Sequence, residues 1–233
     1  MRGTGRDRIG LYRYGGVLLI TLAVALFSLL APDGSLARSV ELVTAGVTLV
    51  IAVATSNAPA ATRRASSIAL AVAVVAVTLD EIFGDSHPTL SLAATGAVFG
   101  ATALILLRGL IRLVMEHGVV LQAVLGALAV YVLLGLTFAF TIGAIAVGGS
   151  GSYFAQGTDA TQNVRVYFSF TVLTTTGFGD YTAATKTGHA LAVLEMLIGQ
   201  LYLVTVISLL VGNLRRREST TLRGHREPPP GDD

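Results

Sequence analysis

The sequence predicts an all-α membrane protein with six transmembrane helices, and three observations carry that prediction. Apolar residues make up 53% of the 233-residue chain and charged residues only 13%, against roughly a quarter charged in ordinary soluble chains. The apolar residues fall in blocks close to the roughly 20 that a helix needs to cross a hydrocarbon core. Arginines gather at alternate ends of those blocks, the asymmetry that orients multi-pass proteins. A soluble nucleic-acid binder is excluded by the blocks. With no cysteine, so are a disulfide framework and a thiolate metal site.

The blocks run over residues 15–31, 40–55, 66–79, 90–107, 119–147 and 188–211. Each is rich in Ala, Val and Leu without strict alternation, which favours helices over barrel strands. Turn or charge signals separate them: APDGS at 31–35, SNAPAATRR at 56–64, GDSHP at 84–88 and the charged stretch RGLIR…MEHG at 108–118. The third block is short and ends in Asp80 and Glu81. The first follows a run of arginines and contains SLLA, as a signal peptide does, but it is long for that role and a retained helix is expected.

With the N-terminus cytoplasmic, Arg2, Arg6, Arg8, Arg13, Arg63, Arg64, Arg108, Arg112 and the arginines of the tail all lie inside. Outside fall only Arg38, Arg165 and Lys186 among the basic residues, together with Asp33, Asp80, Glu81, Asp85, Asp159 and Asp180. The expected arrangement is therefore a multi-pass protein of the cell membrane, bathed by the lipid bilayer, with both termini cytoplasmic.

Between the fifth and sixth blocks, NVRVYFSFTVL at 163–173 reads as a helix too short to span. It is followed by LTTTGFGDYT at 173–182, rich in hydroxyls and glycine. Irregular backbone at membrane depth is tolerated only where protein buries it or where it lines a watery path. The short helix is expected to dip in and return through this stretch, whose carbonyls then need a partner. A permeating cation is one.

The residues T-T-T-G-F-G-D resemble the filter of potassium channels, usually written T-V-G-Y-G-D. The resemblance covers mainly residues 119–213. It implies a re-entrant pore helix and selectivity filter, with K+ bound at Thr175, Thr176, Gly177 and Phe178, and with Gly177 and Gly179 supplying backbone angles that glycine reaches without steric cost. The Thr175 hydroxyl completes the innermost site, and Asp180 stands at the outer mouth. Thr171 occupies a position where some relatives carry glutamate, and Thr171, Thr174 and Glu195 are expected to support the filter from behind. Phe178 and Thr176 depart from the commoner tyrosine and valine. Since a closed cage needs four loops and the chain has one, a homotetramer follows. No cofactor is implied beyond the permeant ions.

The last block resembles the inner helix of the same family. Gly199 lies where that helix often bends, and a hinge and a close packing contact both remain open. Gln200, Leu203, Ile207 and Val211 form a helical stripe that the resemblance turns toward a water-filled cavity. Glu195, a carboxylate within a span, needs a protein partner, and Thr171 or Thr174 are the candidates. A gating role and a structural hydrogen bond both stand for it.

Residues 1–117 thus read as a four-helix peripheral domain, 118–214 as the pore domain and 215–233 as a basic disordered tail. The peripheral domain is not a voltage sensor, because Arg108 and Arg112 are four apart at a helix end rather than repeated every third residue. Gly96 and Gly100 form a packing pair. Asp80, Glu81, Asp85 and His87 are read as a solvated loop face, with an outer cation or pH site as the alternative. Three rivals remain: a nonselective cation channel, a potassium transporter, and an intramembrane serine protease built on Ser150 of GGSG with His189. The protease lacks its expected context, and a non-enzymatic channel is the stronger expectation.

Overall fold

A computed structural model describes residues 6–32, 34–56, 64, 66–68, 70–71, 74–75, 78, 88–118 and 120–224. Among these, everything except two isolated β-bridges is helix, turn or loop. The helices are α1 (Arg6–Leu30), α2 (Ser35–Thr55), α3 (Pro88–His117), α4 (Leu121–Gly148), α5 (Gln162–Leu173) and α6 (Lys186–Gly224).

Among the described residues, four segments are long and apolar enough to cross a membrane: Leu36–Thr55, Thr89–Glu116, Leu121–Gly148 and Lys186–Val206. Tyr14–Leu30 is a shorter apolar helix. Of the third apolar block only scattered residues are described, all of them helical. Asp80, Glu81, Asp85, His87 and His225 lie outside the described residues.

Two boundaries differ from the sequence expectation. The stretch 108–117 continues α3 instead of interrupting it, since nothing in it breaks a helix before Gly118. Gly118 takes φ 72° and its amide bonds the Val114 carbonyl at 2.9 Å, a glycine stop at a helix C-terminus. Likewise α6 runs through residues 215–224, where a disordered tail is expected. Arg, Leu and Glu are good helix formers, and the first strong break signals are Gly224 and the three prolines at 228–230.

The bundle is organised around α4. Its most extensive partner is α3, and α1, α5 and α6 also pack on it, while α2 lies against α1 and α3. Val17, Leu49, Phe99, Leu106, Leu133, Leu136 and Phe140 are buried at the centre, with Phe99 and Phe140 in tilted contact at 5.4 Å between ring centroids. Lipid tails are as apolar as these side chains, so close fit rather than exclusion of water holds such helices together. Gly96 and Gly100 supply that fit. A Cβ at Gly96 would stand 3.2 Å from the Phe140 Cβ, and one at Gly100 would stand 3.3 Å from the Thr137 methyl. Buried threonines bond the carbonyl one turn back, Thr95 to Ser91 at 2.8 Å and Thr102 to Val98 at 2.7 Å, so they need no water.

Replacing Gly96 by leucine is expected to overpack the α3–α4 contact and destabilise the fold by about 1–3 kcal/mol. The readout is a lower unfolding midpoint in detergent, with Val43→Ala on an exposed face of α2 leaving the midpoint unchanged.

Candidate functional site

The site is assembled from α5, the segment 174–185 after it, and the loop 149–161 before it. Helix α5 spans 12 residues, within one residue of the expected short helix and too few to cross a bilayer. Its face toward the other helices, with Val166, Ser169 and Leu173, is buried. The ring of Phe170 lies over Gly135 of α4, where a Cβ would stand 2.7 Å from it.

Beyond α5 the backbone alternates in hand. Thr175, Gly177 and Gly179 take φ 57°, 53° and 81°, whereas Thr176 and Phe178 between them keep negative φ. Alternation of this kind turns successive peptide planes the same way. It gathers N–H groups on one side, as in an anion nest, and carbonyls on the other. Three of the N–H groups bond back to the end of α5. Thr175 N donates to the Val172 carbonyl at 2.9 Å, while Thr176 N and Gly177 N both donate to the Thr171 carbonyl, at 2.9 and 3.1 Å. Residues 174–180 are exposed on their other side.

A left-handed threonine is a genuine outlier for a branched residue, and it persists only where the surroundings hold it. Thr175 was expected to contribute a carbonyl and a hydroxyl, not this backbone angle. Its hydroxyl donates to the Thr174 carbonyl at 2.7 Å. The Thr174 hydroxyl bonds the Phe170 carbonyl at 2.7 Å and meets the Thr176 hydroxyl at 2.8 Å. The extra hydroxyl of Thr176 is therefore used within the loop. Thr171 backs the segment through its carbonyl, because its hydroxyl is turned to Phe168 O at 2.8 Å.

The outer end is held by residues the sequence reading missed. Gln156 donates to the Asp180 carbonyl at 2.7 Å and accepts from Thr182 N at 3.4 Å. Ala155 N bonds Thr182 O and Ala184 N bonds Tyr153 O, each at 2.8 Å. Loop 149–161 is thus stitched to the strand leaving 174–180. Phe154 packs edge-on against Phe168 and Tyr181. On α5, the Tyr167 ring lies parallel to that of Phe178, with centroids 6.2 Å apart. The aromatic pattern YF at 153–154 was the available signal, but nothing in local spacing says which residues it meets.

On α6, Glu195 is wholly buried and its carboxyl meets Ser169 Oγ of α5. This corrects the expectation of Thr171 or Thr174. Ser169 lies one helical turn before Leu173, on the face toward α6, and the two threonines point elsewhere. Gly199 resolves toward packing, since a Cβ there would stand 2.5 Å from the Leu173 carbonyl oxygen. Gln200 is exposed and Leu203 half-buried; Ile207 and Val211 are helical, with side chains outside the described residues. Tyr131 and Tyr202 stack, and their hydroxyls bond Leu173 O at 3.1 Å and Ala127 O at 2.7 Å.

The protease rival finds no support. Ser150 is exposed in the bend after α4, while His189 Nε2 lies 2.7 Å from the Ala183 carbonyl. No hydrogen bond joins the two among the described residues.

Residues 126–216 match the ion channel family. That stretch takes in most of α4, all of α5, the 174–180 segment and the membrane part of α6. No curated protein and no solved structure gives a significant match. Together with the four helices long and apolar enough to span, the family match supports a multi-pass membrane protein that conducts ions passively.

Replacing Gln156 by alanine is expected to loosen the outer stitch. Hydrogen exchange at the amides of 180–184 should rise while that of α3 stays unchanged. Gly199→Ala is expected to separate α6 from the end of α5 and lower the unfolding midpoint in detergent.

Proposed function

We propose that the protein is a potassium-selective channel of the cell membrane that works as a homotetramer. In this reading α4 is the outer helix, α5 the pore helix and α6 the inner helix, with both termini cytoplasmic. Residues 175–179 form the filter. Four copies of Thr175, Thr176, Gly177 and Phe178 present stacked carbonyls in place of the water around a dissolved K+ ion. Gly179 ends the run, and the Thr175 hydroxyl completes the innermost ring. Thr171, Thr174, Asp180 and Glu195 hold this strip from behind. Gln200, Leu203, Ile207 and Val211 face the cavity beneath it.

The observation that carries the reading is the alternating backbone hand of 175–179, with the amides of Thr176 and Gly177 bonded back to Thr171. Such a strip leaves one row of oxygens facing a shared axis. A second observation agrees. Val193, Leu194, Leu197, Leu201 and Val204 of α6 are exposed apolar residues on a single chain, a face that neighbouring copies would cover.

Conduction of monovalent cations without selectivity is the nearest alternative, motivated by Phe178 and Thr176 in place of tyrosine and valine. Full-length protein in liposomes is expected to pass K+ down its gradient, and Gly177→Ala to reduce that flux by at least about a hundredfold, since a Cβ at a left-handed position distorts the oxygen row. Equal flux from both proteins overturns the filter assignment. A reversal potential that tracks the K+ gradient and ignores Na+ supports selectivity, and one near zero in mixed K+ and Na+ supports the alternative.

A further inference from the structure

The Glu195 carboxyl sits where α6 touches α5 and α4, the two helices it packs against. Its surroundings can be counted atom by atom. Ser169 Oγ lies 2.7 Å from the Gly135 carbonyl oxygen of α4 and 2.5 Å from Glu195 Oε1. A serine hydroxyl has one proton to give and lone pairs to receive. The Gly135 carbonyl can only accept, so the serine proton belongs to that contact. The hydrogen between Ser169 and Glu195 must then come from the carboxyl. Were Glu195 ionised, Ser169 would turn its proton to the carboxylate and leave two bare oxygens facing each other at 2.7 Å.

The rest of the pocket agrees. Glu195 is 0% exposed, and its second oxygen has no hydrogen-bond partner, a placement that strongly disfavours an isolated negative charge. The ionisable groups near it are phenols, Tyr131 of α4 and Tyr153 of the loop. Two turns along α6, the Tyr202 hydroxyl is taken up by Ala127 O. On α5 the nearest cation is Arg165, one turn before Ser169, and its Nε donates to the Asp159 carbonyl at 3.0 Å. His189, nearer the start of α6, is turned to Ala183. The Tyr153 hydroxyl is also buried without a partner, and burial pushes that phenol up to about 12. It therefore keeps its proton through moderately alkaline pH.

We propose that Glu195 carries a proton and donates it to Ser169, so that a relay from α6 through α5 to the Gly135 carbonyl of α4 pins the inner helix to the pore helix. Glu195 is then a positioning residue for the strip 174–180, and its role in conduction rests on the channel reading above. Loss of the proton removes the donor, so alkaline pH should release the contact while acid leaves it intact.

The test uses the full chain and the variants Glu195→Gln, Glu195→Ala and Ser169→Ala. The infrared difference spectrum of wild type minus Glu195→Gln at neutral pH should show a protonated carboxyl carbonyl band; bands of an ionised carboxylate alone overturn the proton assignment. Glutamine keeps an N–H donor for Ser169, so it should conserve K+ flux and abolish the alkaline fall seen in wild type. Glu195→Ala and Ser169→Ala should each lower flux roughly tenfold, the equivalent of one lost hydrogen bond, and speed hydrogen exchange in 169–177. Wild-type flux and exchange in both truncated variants overturn the positioning role. If wild type itself passes no K+, the channel reading fails, yet the infrared band and the exchange rates still decide the relay.

Discussion

The constraint on which the site depends is the pairing of two successive amides, Thr176 and Gly177, with the single carbonyl of Thr171. A polar backbone at membrane depth has no water to turn to, so each N–H and C=O needs a partner. Bonding those amides to the end of α5 meets part of that demand. The carbonyls must face away from α5, and whatever lies there has to satisfy them. The left-handed Thr175 is the strained residue in this arrangement, held by its neighbours on both sides.

The remainder of the fold keeps the end of α5 in place. Gly135 lets Phe170 of α5 lie against α4, and Gly199 lets the Leu173 carbonyl approach α6. Tyr131 donates to that same carbonyl. Outside, loop 149–161 closes over the exit of the segment through Gln156 and the Phe154 cluster. The segment is thus clamped at its α5 end by helix contacts and at its far end by a loop. In the proposed channel, a rigid frame suits a filter that must match an ion's hydration shell, because slack of a fraction of an ångström would weaken every contact at once.

Helices α1, α2 and α3 serve a different purpose. They bury the far side of α4 through a core of Val, Leu and Phe closed by the Gly96 and Gly100 contacts. Neither Arg108 nor Arg112 is buried among them, and α3 lacks the ladder of charges that would let a membrane potential do work on it. These helices support α4.

Composition and periodicity alone determined the helical membrane class, the short α5 to within one residue, and the glycine-rich strip after it. Each of these follows from chemistry local to the chain: hydrocarbon thickness sets block length, and glycine sets which backbone angles are cheap. The ends of α3 and α6 were misplaced because charged residues look like boundaries, although arginine and glutamate extend helices as readily as leucine does. Only the tertiary structure decided that Glu195 meets Ser169, that Gln156 holds Asp180, and that Gly199 makes room for Leu173. Those pairs lie 26, 24 and 26 residues apart, and no periodicity reaches across a turn and a loop to say which faces will touch. A buried hydrogen bond is a fact about two elements at once, so it becomes legible only when both have been packed.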